Sequence, residues 1–330
     1  MCAAGELEVA GRLQYVDPDP GLQTVFDLPR ARVGLAVGSR WAGANLRLGA
    51  VRSAGEGTYV GVDGEAFVAE LEVAEAMAAW SEAGLRLSLG AVPDVWVHGA
   101  DRAWGHSAVW GELGDSLGWM DRSDLGLRVD WSGLGGLVGV AGSFTTGEGA
   151  NFRERNEGKD LAGTIAIVPL AGTAQPQALV AELYGRDGSR GLGYAADSRV
   201  GGRLSGELSR VGYGAEVLAA FGVAGDGARE PVGASVWLRG QPWGPLVGTA
   251  RADAWSEDLD HDAAASAAVL AAAGVRLPVE GHGDAELLVG VRHTALGRAV
   301  TEVPGADTVE SGTAFFLQLD VDLAHSWSAP

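Results

Sequence analysis

Hydrophobic and polar residues alternate along most of the chain with a period of two. In segment 313–327 five apolar residues share one side of the pattern: Phe315, Leu317, Leu319, Val321 and Leu323. Successive side chains of a β-strand point to opposite faces, so the pattern predicts a strand with one apolar and one mostly polar face. The segment is also long enough to cross a bilayer, which takes about 9–11 residues of a tilted strand. A half-buried strand of a soluble protein would alternate in the same way. A membrane-spanning strand is therefore favoured only if the pattern recurs along the chain.

The alternation recurs in about sixteen segments. The first two predicted strands cover residues 6–16 and 30–39, and a change of phase near 73–74 predicts a β-bulge in the fourth. Three further strands contain residues 45–48, 85–89 and 125–131. Ten more are centred near residues 140, 164, 181, 204, 218, 236, 250, 271, 288 and 319. The whole chain, residues 1–330, is therefore predicted to be a single all-β domain with a short tail at 1–5.

The connections between these segments alternate between short and long. Short ones are predicted near residues 41–43, 81–84 and 132–134, and long ones near 17–29, 53–64 and 93–121. This rhythm is typical of a transmembrane antiparallel up-and-down β-barrel with short turns at one rim and long loops at the other. A β-propeller would need a repeat for each blade, and two sandwiches would not need alternating loop lengths. Because an open sheet edge cannot exist in hydrocarbon, the sheet is expected to close.

Composition narrows the choice further. No run approaches 18 apolar residues, so no transmembrane helix is predicted, and the formal charge of −19 argues against nucleic acid as a partner. Cys2 is the only cysteine, which excludes an internal disulfide and a cysteine-based metal site. The chain begins without a basic and then apolar leader, so it is expected to be either cytoplasmic or a mature or trimmed form.

The segment 93–121 interrupts the strand pattern for longer than any other. Here the chain resembles the sixteen-stranded bacterial outer-membrane porins, whose third long loop occupies this slot. The stretch VAEAMAAWSEAGLRLSLGAV at 73–92, followed by Pro93, resembles the phosphate-selective porin O/P-like family. The resemblance implies that 93–121 folds into the lumen as a constriction loop, that the localisation is the bacterial outer membrane, and that the protein is a homotrimer.

Charged side chains of the loop and of the first six strands form the candidate site. The predicted loop residues are Asp94, Asp101, Arg102, His106, Glu112 and Asp115. The predicted basic residues of the pore wall are Arg12, Arg30, Arg32, Arg47, Arg86 and Arg128. Acid on a loop opposite arginine on a wall would create a transverse field that selects polar solutes by size and charge. Alternatively, these arginines pair with nearby acids such as Glu8, Glu72 and Asp130 and only keep the lumen hydrated.

Two further groups are candidates for other roles. Aromatic residues at predicted strand ends are expected to form a girdle at the membrane interfaces: Tyr15, Trp41, Trp80, Trp131, Trp243 and Trp327. The acidic segment 256–262 offers oxygen ligands for a hard cation but lacks the EF-hand pattern, so a solvated loop is favoured. Its acidic residues are Glu257, Asp258, Asp260 and Asp262.

No catalytic signature is present, and no cofactor is expected. The sequence contains no G-x-S-x-G, H-E-x-x-H or P-loop motif, and its six histidines are scattered. The sequence therefore predicts a passive porin that lets small hydrophilic solutes or ions diffuse through a water-filled lumen, with outer-membrane lipid as its surroundings. The alternatives are a non-conducting structural or adhesion barrel with a plugged lumen, and a soluble β protein that binds carbohydrate through its tryptophans.

Overall fold

Sixteen antiparallel strands form one closed barrel in the computed structural model, and two further short strands lie outside it. The structure describes residues 2–17, 23–54, 65–151, 157–191, 193–223, 226–257, 265–279, 283–295 and 312–328. The strands are β1 Cys2–Asp17, β2 Gln23–Gly38, β3 Ala42–Ala54, β4 Glu65–Trp80, β5 Leu85–Pro93, β6 Ser123–Gly133, β7 Val138–Thr145, β8 Asp160–Ile167, β9 Val180–Asp187, β10 Ser189–Arg190, β11 Ala195–Ala196, β12 Ser198–Leu208, β13 Val211–Phe221, β14 Val232–Gly240, β15 Leu246–Ser256, β16 Ala265–Val279, β17 Gly283–Ala295 and β18 Gly312–Ser328. The short strands β10 and β11 pair only with each other, outside the barrel sheet.

The barrel closes where the first strand meets the last. β1 pairs with β2 on one side and with β18 on the other, and Arg12 lies opposite Gln318 in the closing register. An even number of antiparallel strands brings both ends of the chain to the same rim. The last strand can therefore pair antiparallel with the first, which leaves no free edge in the barrel. The predicted fold class and strand number are confirmed.

The two faces of the strands differ as the alternation predicts. Leu13 and Leu319 on the outer surface are 47% and 49% exposed, whereas Arg12 and Gln318 on the inner surface are 6% and 0% exposed. Apolar side chains of every barrel strand in the described ranges reach the outside, and this belt is far larger than the apolar patches of soluble monomers. A soluble carbohydrate-binding protein does not fit such a surface.

Three details differ from the sequence expectations. β1 begins at Cys2, so residues 2–5, predicted as a tail, pair with both neighbouring strands. β2 begins at Gln23, so the loop predicted for 17–29 is shorter because the strand continues towards the rim. The β4 bulge lies at Glu72, just before the predicted 73–74, since Arg47 and Leu48 pair with Val73 and Leu71.

The apolar core lies inside the barrel, where the long connection between β5 and β6 packs against the wall. This connection, residues 94–122, is called the inward loop below, and it contains helices α1 Val97–Trp104 and α2 Leu113–Ser116. Its buried side chains join two clusters with lumen-facing residues of β8 to β18. Three single 3-10 turns occur at Ser81–Ala83, Leu134–Gly136 and Pro176–Ala178. No helix in the described ranges has the length and apolarity needed to span a bilayer.

Candidate functional site

Local polar contacts shape the two helices of the inward loop. The Asp94 carboxylate accepts hydrogen bonds from the backbone N–H groups of Trp96 and Val97 at 2.7 and 2.9 Å, where α1 begins. Gly105 ends α1 with a φ of 75°, a left-handed conformation that glycine adopts without steric cost. Glu112 caps α2 by accepting from the N–H groups of Gly114 and Asp115. Asp94 and Glu112 are thus structural parts of the loop.

Aromatic residues pack the inward loop against the wall formed by β9 and β12 to β18. Trp96 stacks on Tyr184 with ring centroids 5.3 Å apart, and Trp104 meets Trp237 edge to face at 6.5 Å. Both loop tryptophans and Trp119 are at most 1% exposed. Replacing one buried aromatic side chain of this size by alanine typically costs about 3–5 kcal/mol, so the contact is a substantial anchor.

Arginines of this far wall also bind the loop. Arg199 donates two hydrogen bonds to the carbonyl oxygen of Trp119, at 2.9 and 2.7 Å, and Arg251 donates to that of Gly111 at 2.7 Å. The Arg203 guanidinium lies over the Trp96 ring, 4.3 Å from its centroid. Charged donors to carbonyls inside a protein are stronger than neutral ones, so these contacts fix the path of the loop.

The tip of the loop reaches across the lumen to β1 and β2. Arg12 donates to the carbonyl oxygens of Ala108 and Val109 at 2.9 and 2.7 Å and to Gln318 at 2.7 Å. Arg30 donates to the Ser107 hydroxyl. The loop therefore spans the barrel interior and bonds to both walls.

A charge cluster occupies the face of the loop towards β2 to β4. Arg122 forms ion pairs with Asp101 and Asp115. Burial alone would lower the pKa of Arg122, but the charges of Asp115 and Asp101 raise it overall. Burial would likewise raise the pKa of Asp101, but Arg122 and Arg30 lower it overall. Asp101 thus stays ionised, and the guanidinium of Arg122 at the end of the loop pairs with both Asp101 and Asp115.

His98 lies beside this cluster in a buried position. Desolvation, reinforced by the charge of Arg122, lowers the pKa of His98 to about 3, so the ring is neutral at physiological pH. Its Nε2 atom is buried without a hydrogen-bond partner among the described residues. The docked loop therefore holds a histidine that resists protonation.

The wall of β1 to β6 carries a network of ion pairs on its lumen face. Arginines of this wall pair with acids on the same strand, on the adjacent strand or on the strand beyond it. The pairs are Arg32 with Glu8 and Glu72, Arg47 with Glu6, Arg86 with Glu75, and Arg128 with Asp130. Several of these side chains contact solvent: Glu6 is 38% and Arg86 42% exposed, whereas Arg32 is 9% exposed. Water therefore reaches this wall on the turn side, and the wall is tighter near the loop.

The structure places the predicted residues in distinct settings. The six predicted wall arginines all face the lumen. Arg12 and Arg30 donate hydrogen bonds to the loop tip. The other four form the ion pairs given above, and Arg128 in addition donates to the carbonyl oxygen of Pro93 at 3.0 Å. Of the predicted loop residues, Arg102 is exposed in the lumen and His106 is buried 3.5 Å from Glu286. The aromatic residues Tyr15, Trp41, Trp80, Trp131 and Trp243 are 38–74% exposed. The side chain of Trp327 lies outside the described residues.

The acidic segment at 256–262 is described only in part. Glu257 pairs with Arg229 and accepts from Trp255 Nε1 at 3.1 Å, whereas Asp258, Asp260 and Asp262 lie outside the described residues. Within the described ranges, no three His, Cys, Asp or Glu side chains are grouped as a metal site.

Several residues that hold the loop escaped the sequence analysis. Arg199, Arg203 and Arg251 lie at inward positions of β12 and β15, on the wall opposite the predicted pore-lining arginines. Arg122 lies just beyond the predicted loop boundary. Period-two alternation marks the wall arginines as inward, but it does not show which wall the loop contacts. Four tryptophans within the loop, Trp96, Trp104, Trp110 and Trp119, were the available signal for burial there.

Comparison with known proteins rests on structure. No protein-family model matches the sequence, and no curated protein sequence matches it. Among solved structures, OmpF of Salmonella typhi in complex with daunomycin superposes with a TM-score of 0.67 at 12% identity, covering 98% of this chain and 97% of that chain. The anion-selective porin from Comamonas acidovorans gives 0.63 at 10% identity, covering 98% and 100%. A mutant of the Rh. blastica porin gives 0.59 at 15% identity, covering 97% and 99%.

These similarities span nearly the whole of each chain, at identities that establish the fold alone. The resemblance to the O/P-like family at 73–93 is not accompanied by a family match. Together with the closed barrel, the apolar outer surface and the loop inside the lumen, the superpositions show that this chain has the fold of the sixteen-stranded bacterial outer-membrane porins.

Proposed function

We propose that the protein is a passive diffusion channel of the bacterial outer membrane, without enzymatic activity, that conducts small hydrophilic solutes or ions. The observation that carries the proposal is the solvent-exposed band of paired charges on the lumen face of β1 to β6, beside a loop whose apolar side packs on the opposite wall. A lumen filled only to plug the barrel would not need charged walls in contact with water. Paired charges favour hydrated solutes with weak selectivity, because each guanidinium is balanced by a nearby carboxylate.

Planar-bilayer recording tests the proposal. Steady single-channel steps are expected, with a small reversal potential under a potassium chloride gradient. A matched pair of variants tests whether the current passes inside the barrel. Asn45 on β3 faces the lumen and lies between Ala36 and Glu75 of the adjacent strands, whereas its neighbour Ala44 is exposed on the outer face. Asn45→Trp should lower the conductance, whereas Ala44→Trp should leave it unchanged. Equal conductance in both variants would contradict a path through this lumen.

A non-conducting barrel is the second candidate, because the loop tip bonds to the near wall as well as packing on the far one. Arg12 and Arg30, which bind that tip, are only 6% and 8% exposed. Reproducible insertion without current would favour this structural role.

The homotrimer that the resemblance to porins implies is part of the proposal, and light scattering of the detergent-solubilised protein measures the oligomeric state directly.

A further inference from the structure

Two adjoining recesses lie beneath the inward loop, on the turn side of the lumen. The larger encloses 310 Å³ between α1 and strands β9, β12 and β14, and the smaller encloses 130 Å³ near the turns that follow β12 and β14. Glu207 and Arg239 line both, so the recesses share one boundary. The larger volume is within the range of about 300–1,000 Å³ that small-molecule pockets occupy.

The recesses are rich in basic groups, although the chain as a whole carries a formal charge of −19. Four arginines line them against two glutamates, Glu182 and Glu207, and one of the four, Arg276, already pairs with Glu286. The arginines are Arg102, Arg210, Arg239 and Arg276. The Glu182 carboxylate already accepts from Arg203 at 2.8 Å, which leaves it little capacity to neutralise the recess.

Two of these arginines make no side-chain bond among the described residues, and a third keeps one unpaired donor. In the part of the chain that the structure describes, neither Arg102 nor Arg210 makes an ion pair or a side-chain hydrogen bond. Arg239 bonds to Glu207 at 3.2 Å, but its Nε atom is buried and has no partner among the described residues. The unpaired guanidinium groups of Arg102 and Arg210 can therefore donate to a bound oxyanion.

The backbone holds the Arg239 side chain in place. A Cβ atom at Gly212 would lie 2.7 Å from Arg239 Nε, and one at Gly105 would lie 3.1 Å from its Cζ. Both glycines leave the space in which the guanidinium lies between the end of α1 and β13. An arginine confined in this way loses less side-chain entropy on binding than one free in the lumen.

Neutral polar groups complete the lining. Ser205, Ser209 and Gln177 border the recesses and present hydroxyl and amide groups beside the arginines. Guanidinium groups suit carboxylate and phosphate oxygens, and hydroxyl and amide groups suit the hydroxyls of a sugar. We propose that the two recesses form a binding site for a small hydroxylated organic oxyanion, a sugar acid or a sugar phosphate. The site rests on the proposed channel for its supply of solute, but binding itself does not require conduction.

Titration calorimetry of the detergent-solubilised protein tests the site with gluconate, glucose 6-phosphate and, as the neutral counterpart, glucose. Saturable binding of at least one anion and none of glucose is expected. Arg239→Gln and Arg210→Gln should each weaken it at least tenfold, since each removes a charged donor. Arg40→Gln is the matched control, because Arg40 is 61% exposed outside the recesses and pairs with Glu82. Binding of gluconate alone identifies a carboxylate site, and binding of glucose 6-phosphate alone identifies a phosphate site.

Heat-modifiable gel mobility checks that each variant folds, and Arg210, in a turn, remains informative if Arg239→Gln misfolds. Absence of saturable binding by both anions, or wild-type binding by the Arg210 and Arg239 variants, overturns the site. Conduction without binding would remove this site and leave the channel, whereas binding without conduction would retain the site and favour the structural barrel.

Discussion

Adjacent residues of one strand meet opposite surroundings in this barrel. On β18, Leu317 and Leu319 are 44% and 49% exposed on the outer face, while Gln318 between them is fully buried and accepts a hydrogen bond from Arg12. A charge added on the outer face has no partner and faces hydrocarbon in the proposed membrane setting, whereas one on the inner face can join the network of ion pairs. Whether an added charge is tolerated therefore depends on whether the substituted position faces the outside or the lumen, which alternates from one residue of the strand to the next.

Leu319→Arg is expected to block assembly of the barrel in a bilayer. Arginine facing lipid near the midplane costs about 2–4 kcal/mol, and the cost falls to about 0–1 kcal/mol near the interfaces. Leu323→Arg, on the same face of β18 but closer to the turn rim, is the matched control and should assemble more readily. Folding into lipid vesicles, followed by heat-modifiable mobility, measures the difference. Equal assembly of both variants would contradict the assigned outer face.

His98 predicts a pH dependence of loop docking. The pKa of His98 is about 3 in the docked loop, whereas a released loop would give the histidine its ordinary value of about 6.5. Between these values the released loop binds a proton that the docked loop does not, so the His98 contribution to docking is lost as pH falls below about 6.5. Arg122 and Asp101 beside it stay charged in this window, and Arg47 and Arg32 are the other charged groups that act on it.

The measurement is hydrogen exchange of the loop amides from about pH 6.5 to pH 4, with intrinsic rates divided out. Wild-type protection should fall more steeply with acidification than that of His98→Gln, by up to about tenfold per pH unit. Glu112 acts in the opposite direction, because burial and the charge of Glu216 raise its pKa and acid therefore favours its docked form. The comparison with His98→Gln isolates the histidine, and parallel profiles would refute its role.

At the scale of elements, the inward loop supplies an apolar core inside the barrel. Its tryptophans and the carbonyl bonds from Arg199 and Arg251 hold one side, and Arg12 holds the tip. The near-wall contacts described for the tip are hydrogen bonds from Arg12 and Arg30, whereas the far-wall contact also buries large aromatic rings. The tip is thus the part of the loop that a single substitution can release.

Arg12→Gln should widen the lumen by removing the two bonds to Ala108 and Val109. Hydrogen bonds to charged groups contribute about 1.5–3 kcal/mol each, enough to shift the tip to a released population. We expect larger and noisier single-channel steps in bilayer recordings. Arg86→Gln removes the same charge from the lumen, but Arg86 bonds to Glu75 and Ser88 on the wall and not to the loop. Similar conductance in the two variants would show that the tip contact does not limit the pore.

At the scale of the whole molecule, closure explains why alternation carries so much information. Each barrel strand has the same two environments, so one rule assigns lumen and outer surface for strands as distant in sequence as β1 and β18. The rule also located the bulge at Glu72 to within one position, because a bulge changes the phase of the faces. The alternation could not define the start of β2, because the first residues of this strand, from Gln23, do not alternate clearly between apolar and polar.

The sequence alone determined the class of fold, the approximate strand number and the inward facing of charges such as Arg12, Arg32 and Arg47, because local side-chain parity encodes them. Only the tertiary structure decided what those charges meet. Asp101 and Asp115 pair with Arg122 at the end of their own loop, and Arg199 and Arg251 hold that loop from the opposite wall. Such partners are set by the path of an irregular segment across the lumen, and no periodic pattern along the chain records that path.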